Sequence, residues 1–327
     1  MNSLLGVSIP TYKRPEQLRR CLASVIEAAR PYGVPIYVLD DSGDDTNLQT
    51  MVGMKRTYDG IRHVRNAANL GIDRNILCSV DTCDTRYVWL LGEDDRLIPE
   101  SIGEMLEVLA GNPDFVFANY STVNEDVNVV LKEQALPLDV DSSLAAAEFL
   151  SLHGWAAGFI GGCVVNKMLW NCVQQASYIG TYFAHVGVIF HSIQGRAVHL
   201  VARPLVLNRC GTADTFTWQP MAFEVLGGWA RLMKLLRPLY GEAVCEQSLA
   251  TFEGAHGLNS LKFLLYARAG GAYGEEQYRN FIHSGHRSRF YKAAAWLVAR
   301  ANRTWIQRAH GLLAKARQQR GRRLNGY

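Results

Sequence analysis

Short apolar runs alternate with segments of helical periodicity through the first 120 residues of this chain. After the first run, apolar residues recur at the three- and four-residue spacing of a helix, and Pro15 suits its first turn. This alternation predicts an α/β fold with a mostly parallel sheet that helices cover on both faces. The predicted strands are residues 4–9, 36–41, 63–66, 86–92 and 115–120, followed by weaker candidates at 161–166 and 197–201.

Beyond Thr217 nearly every segment has helical character. We therefore expect a sheet-containing domain over residues 1–215 and a helical C-terminal region over residues 216–327. The first residues lack the basic start of a signal peptide, and no stretch approaches the ~18 apolar residues that span a bilayer. The 7 cysteines are scattered and form no CxxC pair, which indicates reduced thiols. These features predict a cytoplasmic protein.

The charge of the chain is concentrated at its C-terminal end. The net charge is +4, yet the segment from His286 to Tyr327 has eleven Lys and Arg residues and no acid, so the rest of the chain is net acidic. From Phe290 to Ala316, apolar residues at steps of three and four predict one face of a long helix. We expect this basic amphipathic tail to lie on an anionic membrane surface. The alternatives are packing on the body or pairing in a homo-oligomer; nucleic-acid binding is disfavoured because the chain has no recognisable motif for it.

Three polar clusters directly follow predicted strands. They are PTYKRP (10–15), DDSGDDT (40–46) and GEDD (92–95). In an open α/β sheet, ligands bind outside the carboxyl ends of the strands, so the clusters should meet at one crevice. Adjacent carboxylates at a dry strand end are costly unless a cation binds there, and Mg²⁺ and Mn²⁺ prefer such oxygen ligands. An acidic run can instead cap a following helix. The coincidence of three clusters favours a divalent-cation site.

Four motifs occur in one order along the chain: SIPTYKRPEQLRRCLASV, VLDDSGDDT, NLGIDRN and YVWLLGEDDRL. In this respect the chain resembles the family 2 glycosyltransferases, which have the Rossmann-like GT-A fold, and in its GEDD motif it resembles abequosyltransferase-like and similar bacterial O-antigen enzymes. The resemblance covers residues 3–120 well and extends more weakly to residue 210. It implies sugar transfer from a nucleotide-diphosphate donor to a hydroxyl of a saccharide acceptor in surface polysaccharide synthesis. We expect a lipid-linked acceptor and a peripheral location at the inner face of the cell membrane.

The resemblance also implies which residues bind the donor. Those at the end of the first strand would line the base and ribose pocket, and one of the two aspartates after the second strand would accept a hydrogen bond from the base or ribose. An Asx turn is the alternative for these aspartates, and a solvated helix position is the alternative for the arginine of NLGIDRN. The expected nucleotide-sugar-binding residues are Pro10, Thr11, Tyr12, Arg14, Asp40, Asp41, Asn69, Gly71, Arg74, Glu93 and Asp94.

The GEDD motif stands where the family has its metal-binding DXD motif. The resemblance implies that Asp94 and Asp95 hold Mn²⁺ or Mg²⁺, with Glu93 directed toward the ribose or a metal-bound water. The chain departs from the family here. Where many relatives have L-D-x-D-D, Gly92 replaces the first acid, so which oxygens contact the ion stays open.

An inverting transfer also needs a general base for the acceptor proton. Family members usually supply an acid roughly one hundred residues after the metal motif, but residues 177–193 contain none. His185 stands near the expected position, and a histidine has a suitable ordinary pKa of ~6.5. Asp214, in a polar loop, is the second candidate. A buried structural histidine and an ordinary surface loop are the respective alternatives.

Two further interpretations stay open at the level of sequence. Trp155 could stack on an acceptor sugar, although a core tryptophan fits the sequence equally well. The missing acid also permits a retaining outcome. It permits, in addition, a catalytically silent protein that binds a nucleotide sugar or organises a membrane assembly.

Overall fold

The computed structural model describes residues 2–210, 221–257, 260–283 and 288–307. Packing divides them into two units. The first comprises the described residues within Met1–Phe216 and Gly228–Phe252, and the second those within Thr217–Gly227 and Glu253–Tyr327. Part of the helical C-terminal region is thus packed with the first unit. The boundary between residues 215 and 216 stays a prediction.

The first unit alternates strands and helices as the sequence predicts, and its first helix begins at Pro15 as expected. The strands are β1 (Leu5–Thr11), β2 (Ile36–Asp40), β3 (Ile61–Arg65), β4 (Tyr87–Leu90), β5 (Arg96–Leu97), β6 (Phe115–Val123), β7 (Val130–Lys132), β8 (Ser142–Ala145), β9 (Cys163–Asn166) and β10 (Ala197–Arg209). The helices up to β10 are α1 (Pro15–Ala29), α2 (Leu48–Thr57), α3 (Ile72–Asp81), α4 (Ser101–Ala110), α5 (Ala146–His153), α6 (Lys167–Trp170) and α7 (Ala184–Ser192).

The sheet confirms the α/β class, and its strand order is β3-β2-β1-β4-β9-β6-β10-β5, with β7 on β6 and β8 on β10. Strands β1 to β4 pair in parallel, as do β6 and β10. The remaining pairings are antiparallel, so the sheet as a whole is mixed. The expectation of a mostly parallel sheet therefore holds for β1 to β4, where βα alternation is regular.

The topology brings six strand ends to one edge of the sheet. Because β9 is antiparallel to both β4 and β6, these two strands run in the same direction. The carboxyl ends of β1, β2, β3, β4, β6 and β10 therefore share an edge, which is called the carboxyl edge below. Every residue of β1 and β4 is buried, as expected for central strands with both faces covered.

Helices from the C-terminal part of the chain complete the core of the first unit. They are α8 (Ala222–Tyr240), which contributes to both units, and α9 (Glu242–Ala255). Trp229 is fully buried; its ring stacks on Phe252 at 4.6 Å and meets Phe183 edge-on at 4.9 Å. This aromatic cluster fixes the segment before α7 against α8 and α9.

The second unit is helical, with α10 (Leu261–Gly270), α11 (Glu275–Gln277) and α12 (Arg289–Arg300) around a small apolar core. Helix α12 buries Ala295 and Ala299 in this core. The predicted long tail helix is interrupted, because Ala301 is extended and the side chain of Asn302 accepts the Thr304 N–H at 2.9 Å, which starts a new turn. Residues 308–327 of the predicted tail lie outside the described residues. Within the described ranges, no helix combines the length and apolarity needed to cross a membrane.

Candidate active site

The acidic motif forms a tight turn at the end of β4. The Asp95 N–H donates to the Gly92 carbonyl at 3.1 Å, and Asp95 is only 4% exposed. A Cβ atom at Gly92 would lie 2.6 Å from Asp95 Oδ2. This close approach explains why glycine occupies a position where many relatives of the resembled family carry an acid.

Asp95 joins the turn to the end of a distant strand. Its Oδ1 accepts the backbone N–H of Arg209, the last residue of β10, at 3.1 Å. Burial raises the pKa of Asp95 well above its ordinary value, and the neighbouring Asp94 charge adds to the rise. Asp95 therefore connects the acidic turn to the end of β10, although its burial disfavours the ionised carboxylate.

The carboxylates of Glu93 and Asp94 converge on one point. Each has an oxygen 3.4 Å from the same Nη1 atom of Arg14, and the two side chains are 17% and 20% exposed. Burial, together with the neighbouring charge of Asp94, raises the pKa of Glu93 to about 7, although the charges of Arg14 and Arg209 act in the opposite direction. The positive charge near this cluster does not compensate its acids fully.

This arrangement fits a divalent cation only in part. Two convergent carboxylates match the one or two protein ligands that Mg²⁺ takes when phosphates and water supply the rest. Within the described ranges, no group of three His, Cys, Asp or Glu side chains is placed to hold a metal by itself. Glu93 and Asp94 are more accessible than Asp95, so the pair Asp94 and Asp95 stays a prediction.

The loops after β1 and β2 are connected to each other. Pro10 and Thr11 are buried at the end of β1, and the Thr11 hydroxyl has no partner within the described part of the chain. Tyr12 follows and is 43% exposed. Lys13 has a φ of +52°; its N–H donates to Ser42 Oγ at 3.0 Å. The exposed ring of Tyr12 is therefore held on a fixed backbone.

Asp40 is occupied by internal partners. Its Oδ1 accepts the Ser42 N–H and the Asn47 amide, each at 3.0 Å, and its Oδ2 lies 3.5 Å from His63 Nε2. Burial raises the pKa of this carboxyl, but the nearby His63 and the hydrogen bonds from Ser42 and Asn47 together lower it below its ordinary value. These contacts match the Asx-turn alternative, and base recognition by Asp40 stays a prediction.

Asp41 holds the turn that precedes α3. It accepts the Leu70 N–H at 2.8 Å, the Gly71 N–H at 3.2 Å and the Asn66 amide at 2.9 Å. Gly71 has a φ of +82°, which glycine adopts without strain, and its N–H also reaches Asn69 Oδ1 at 2.7 Å. The structure thus gives Asp41, Asn69 and Gly71 a structural role, while Arg74 is exposed one turn further on.

Asp73 is a brace that sequence reasoning missed. It is 6% exposed, and its carboxylate accepts the backbone N–H groups of Gly180, Tyr182 and Ala184 at 2.7, 3.1 and 3.3 Å. An acid in the first turn of a helix is ordinarily read as a cap of that helix. Its partners lie more than one hundred residues away, at the start of α7, and no local pattern indicates them.

His185 is enclosed in the core. It is 1% exposed, and its Nε2 lies 3.1 Å from the Ala157 carbonyl oxygen. Burial lowers its pKa to about 4, so the imidazole is neutral near pH 7. This environment favours the structural alternative and does not support His185 as the general base. The other candidate, Asp214, lies outside the described residues.

Trp155 is half-buried in a short 3₁₀ helix, Gly154–Gly158. Lys132 Nζ lies 5.6 Å from the centroid of its ring, and Lys132 itself pairs with Thr122 near the carboxyl end of β6. The ring is therefore close to the carboxyl edge. Contact with an acceptor sugar stays a prediction.

Arg209 is a second residue that sequence reasoning missed. It is 8% exposed at the end of β10, and its Nε and Nη2 atoms have no hydrogen-bond partner within the described residues. The only signal in the sequence is an arginine that closes an apolar strand. Arg14 and Arg209 thus lie close to the acidic turn after β4.

Comparison with known proteins identifies the class. Residues 7–164 match the sequence model of glycosyl transferase family 2. This match confirms the resemblance seen in the sequence: residues 7–164 are a family 2 glycosyltransferase segment. A curated relative, the abequosyltransferase RfbV of Salmonella typhimurium strain LT2, is 26% identical over 257 residues, which cover 74% of this chain and 77% of the relative.

Solved structures confirm the GT-A fold. Residues 1–349 of S. aureus TarS, in complex with UDP-GlcNAc, superpose with a TM-score of 0.60 at 12% identity over 94% of this chain and 92% of theirs. The present chain covers 50% of the longer TarS chain. The mannosyltransferase PcManGT from Pyrobaculum calidifontis, in complex with GDP-Man and Mn²⁺, superposes with a TM-score of 0.50 at 14% identity over 92% and 87% of the two chains.

Replacing Asp41 by alanine should loosen the turn before α3. Three hydrogen bonds to a charged acceptor are lost and the Leu70 N–H loses its partner, so we expect a loss of about 2–4 kcal/mol. Thermal unfolding should show a melting temperature lower by about 5–10 °C. The control is Asp45→Ala, an exposed acid of the same cluster that pairs with Arg65. Equal shifts in the two variants would contradict a bracing role.

The raised pKa of Glu93 predicts a pH-dependent stability. The folded carboxyl keeps its proton up to about pH 7, whereas the unfolded chain releases it near its ordinary value of 4.5. Stability therefore falls as the pH rises through this interval. In buffer with EDTA, Glu93→Gln should raise the melting temperature at pH 7.5 and change it little at pH 5. Glu27→Gln, at an exposed position of α1, is the control. An effect of Glu93→Gln that does not depend on pH would refute the raised pKa of Glu93.

Proposed function

We propose that the protein transfers a sugar from a nucleotide-diphosphate donor to a hydroxyl of a saccharide acceptor. The observation that carries this proposal is the meeting of Glu93 and Asp94 on one point at the carboxyl edge, inside a family 2 domain. Two structural relatives were solved with nucleotide-diphosphate sugars, and one of them with Mn²⁺. The relation to an abequosyltransferase supports a role in surface polysaccharide synthesis.

The donor would lie across the ends of β1, β2 and β4. Tyr12 offers an exposed ring for the base or ribose, and Arg74 an exposed charge for a phosphate. Asp40 and Asp41 would act mainly by fixing the two loops that border the donor, because most of their oxygens have internal partners. Arg14 would hold the Glu93 and Asp94 carboxylates in position before the donor arrives.

A divalent cation, Mn²⁺ or Mg²⁺, would be held by Asp94 together with Glu93 or Asp95. When bound, it supplies charge compensation for the departing diphosphate. The convergent carboxylates and the raised pKa of Glu93 support this proposal, because a bound cation would offset the acid excess that burial makes unfavourable.

We propose an inverting reaction with Asp214 as the general base. His185 is the weaker candidate, because its imidazole is enclosed and its pKa is lowered to about 4. Trp155 would stack on a ring of the acceptor. The absence of an acid from residues 177–193 favours a second candidate function, a catalytically silent nucleotide-sugar-binding or membrane scaffold protein. Release of free or transferred sugar from a nucleotide-sugar panel would exclude that candidate.

The acceptor is proposed to be lipid-linked, with the protein at the cytoplasmic face of the membrane. Helix α12 turns two apolar side chains outward at an i, i+7 spacing, Phe290 at 90% and Leu297 at 62% exposure. Trp305 follows at 75% exposure. This segment carries arginine and lysine but no acid, which suits an interface with anionic lipid. Its other face packs in the second unit, so packing and surface exposure coexist.

Metal-dependent donor binding should appear in thermal unfolding. With UDP, GDP, CDP or dTDP at about one hundred times the dissociation constant and Mn²⁺ present, one diphosphate should raise the melting temperature by about 5–10 °C. EDTA should remove most of this rise. Asp94→Asn should keep the fold and lose the metal-dependent part, whereas Asp45→Asn should behave like the wild type. A full metal-dependent shift in Asp94→Asn would reject the metal site.

Membrane docking should require both lipid charge and the exposed apolar side chains of α12. The protein should sediment with vesicles that contain phosphatidylglycerol, and less with pure phosphatidylcholine or at high salt. Phe290→Ser with Leu297→Ser should weaken binding about tenfold through lost apolar contact. Val140→Ser, at 71% exposure in the first unit, is the control. Unchanged binding, or self-association on a sizing column that the double variant abolishes, would favour the oligomer instead.

A further inference from the structure

Among the residues that the structure describes, the guanidinium of Arg209 is buried beside the acids with two donors unpaired. The residue is 8% exposed, and its Nε and Nη2 atoms lack a hydrogen-bond partner there. Its backbone is fixed, because the N–H donates to Asp95 Oδ1 at 3.1 Å. Burying a charge with unused donors is unfavourable unless a partner binds there. An oxyanion of a bound ligand would supply the partner that the described residues do not.

The position of Arg209 restricts what that oxyanion can be. The residue ends β10 at the carboxyl edge, and β10 also pairs with β5, directly after the acidic turn. Its charge acts on both Glu93 and Asp95. A free carboxylate or single phosphate would meet three acids here. A diphosphate is suited to this place, because one part can share a cation with Glu93 and Asp94 while another oxygen meets the guanidinium.

We propose that Arg209 binds an oxygen of the donor diphosphate and stabilises the charge that forms on it as the sugar leaves. This inference rests on the proposed function. The bond between the anomeric carbon and the diphosphate oxygen breaks, and its electron pair stays on that oxygen. The acceptor oxygen bonds to the anomeric carbon and its proton passes to the general base. Arg209 keeps its protons throughout, since an arginine is not deprotonated in proteins.

Arg14 does not fill the same role. Its Nη1 already lies between Glu93 and Asp94, so its charge is used by the acids. Arg209 has two unused donors in the planar fork that matches phosphate oxygens. The two arginines therefore have different roles: Arg14 holds the carboxylates of Glu93 and Asp94, and Arg209 binds the diphosphate.

The test compares nucleoside diphosphates with the base-matched monophosphates. Isothermal titration with Mn²⁺ would be done on wild type, Arg209→Gln, Arg209→Lys and the control Arg203→Gln. Arg203 lies on the same strand but is exposed and pairs with Glu100 and Glu104. Arg209→Gln should weaken diphosphate binding about tenfold or more and monophosphate binding by less than about twofold. Arg209→Lys should lose less, because the charge stays but the fork does not.

The outcomes separate this inference from the proposed function. If the wild type binds no nucleotide with metal, the proposed function fails and Arg209 loses its assignment with it. If the wild type binds and the ratio of diphosphate to monophosphate affinity is the same in the variants, only the Arg209 inference is overturned. A raised KM for the acceptor with an unchanged affinity for the diphosphate would overturn the inference, because Arg209 would then bind an anionic group of the acceptor. If Arg209→Gln does not fold, Arg209→Lys decides, and a wild-type ratio in that variant rejects the inference.

Discussion

The desolvation of three adjacent carboxylates at the end of a buried strand is the constraint on which the site depends. Strand β4 is buried along its whole length, so the turn that follows it lies against the core. Burial is the largest cause of the raised pKa values of Glu93 and Asp95. The chain lessens this cost with a backbone N–H for Asp95 and a shared guanidinium for Glu93 and Asp94. It does not remove the cost, and the remaining charge imbalance is what a cation and a diphosphate can relieve.

Five acids of the first unit form two groups that differ in what their carboxylate oxygens contact. Asp41, Asp73 and Asp95 accept backbone N–H groups from segments distant in the sequence. Such bonds connect the second strand end to the turn before α3, α3 to the start of α7, and the acidic turn to β10. Glu93 and Asp94 instead contact the guanidinium of Arg14 within the described part of the chain. The braces position these two carboxylates, which therefore keep oxygens for a ligand.

The sequence predicts the fold well but does not indicate which site residues brace the structure and which keep oxygens for a ligand. Apolar runs, proline and glycine are local signals, so strands, helices and the carboxyl edge could be inferred from them, and the family motifs supplied the class. The partner of a carboxylate is a long-range fact. The bracing contacts of Asp41 and Asp73 could not be inferred, because the N–H groups from which they accept become neighbours only after folding. The burial of His185 and the interruption of the tail at Ala301 depend on packing in the same way.

The two unpaired features of the carboxyl edge have one physical explanation. Within the described residues, Glu93 and Asp94 carry an excess of negative charge, and two donors of the Arg209 guanidinium have no partner. The backbone positions on both sides are fixed. Asp95 holds the Arg209 main chain, and the tight turn at Gly92 holds Asp95. Opposite charges kept apart by a fixed backbone form a preorganised dipolar site, which stabilises a separated charge without reorganising when that charge develops. A diphosphate with its cation has that charge distribution, and binding of both would stabilise the folded protein.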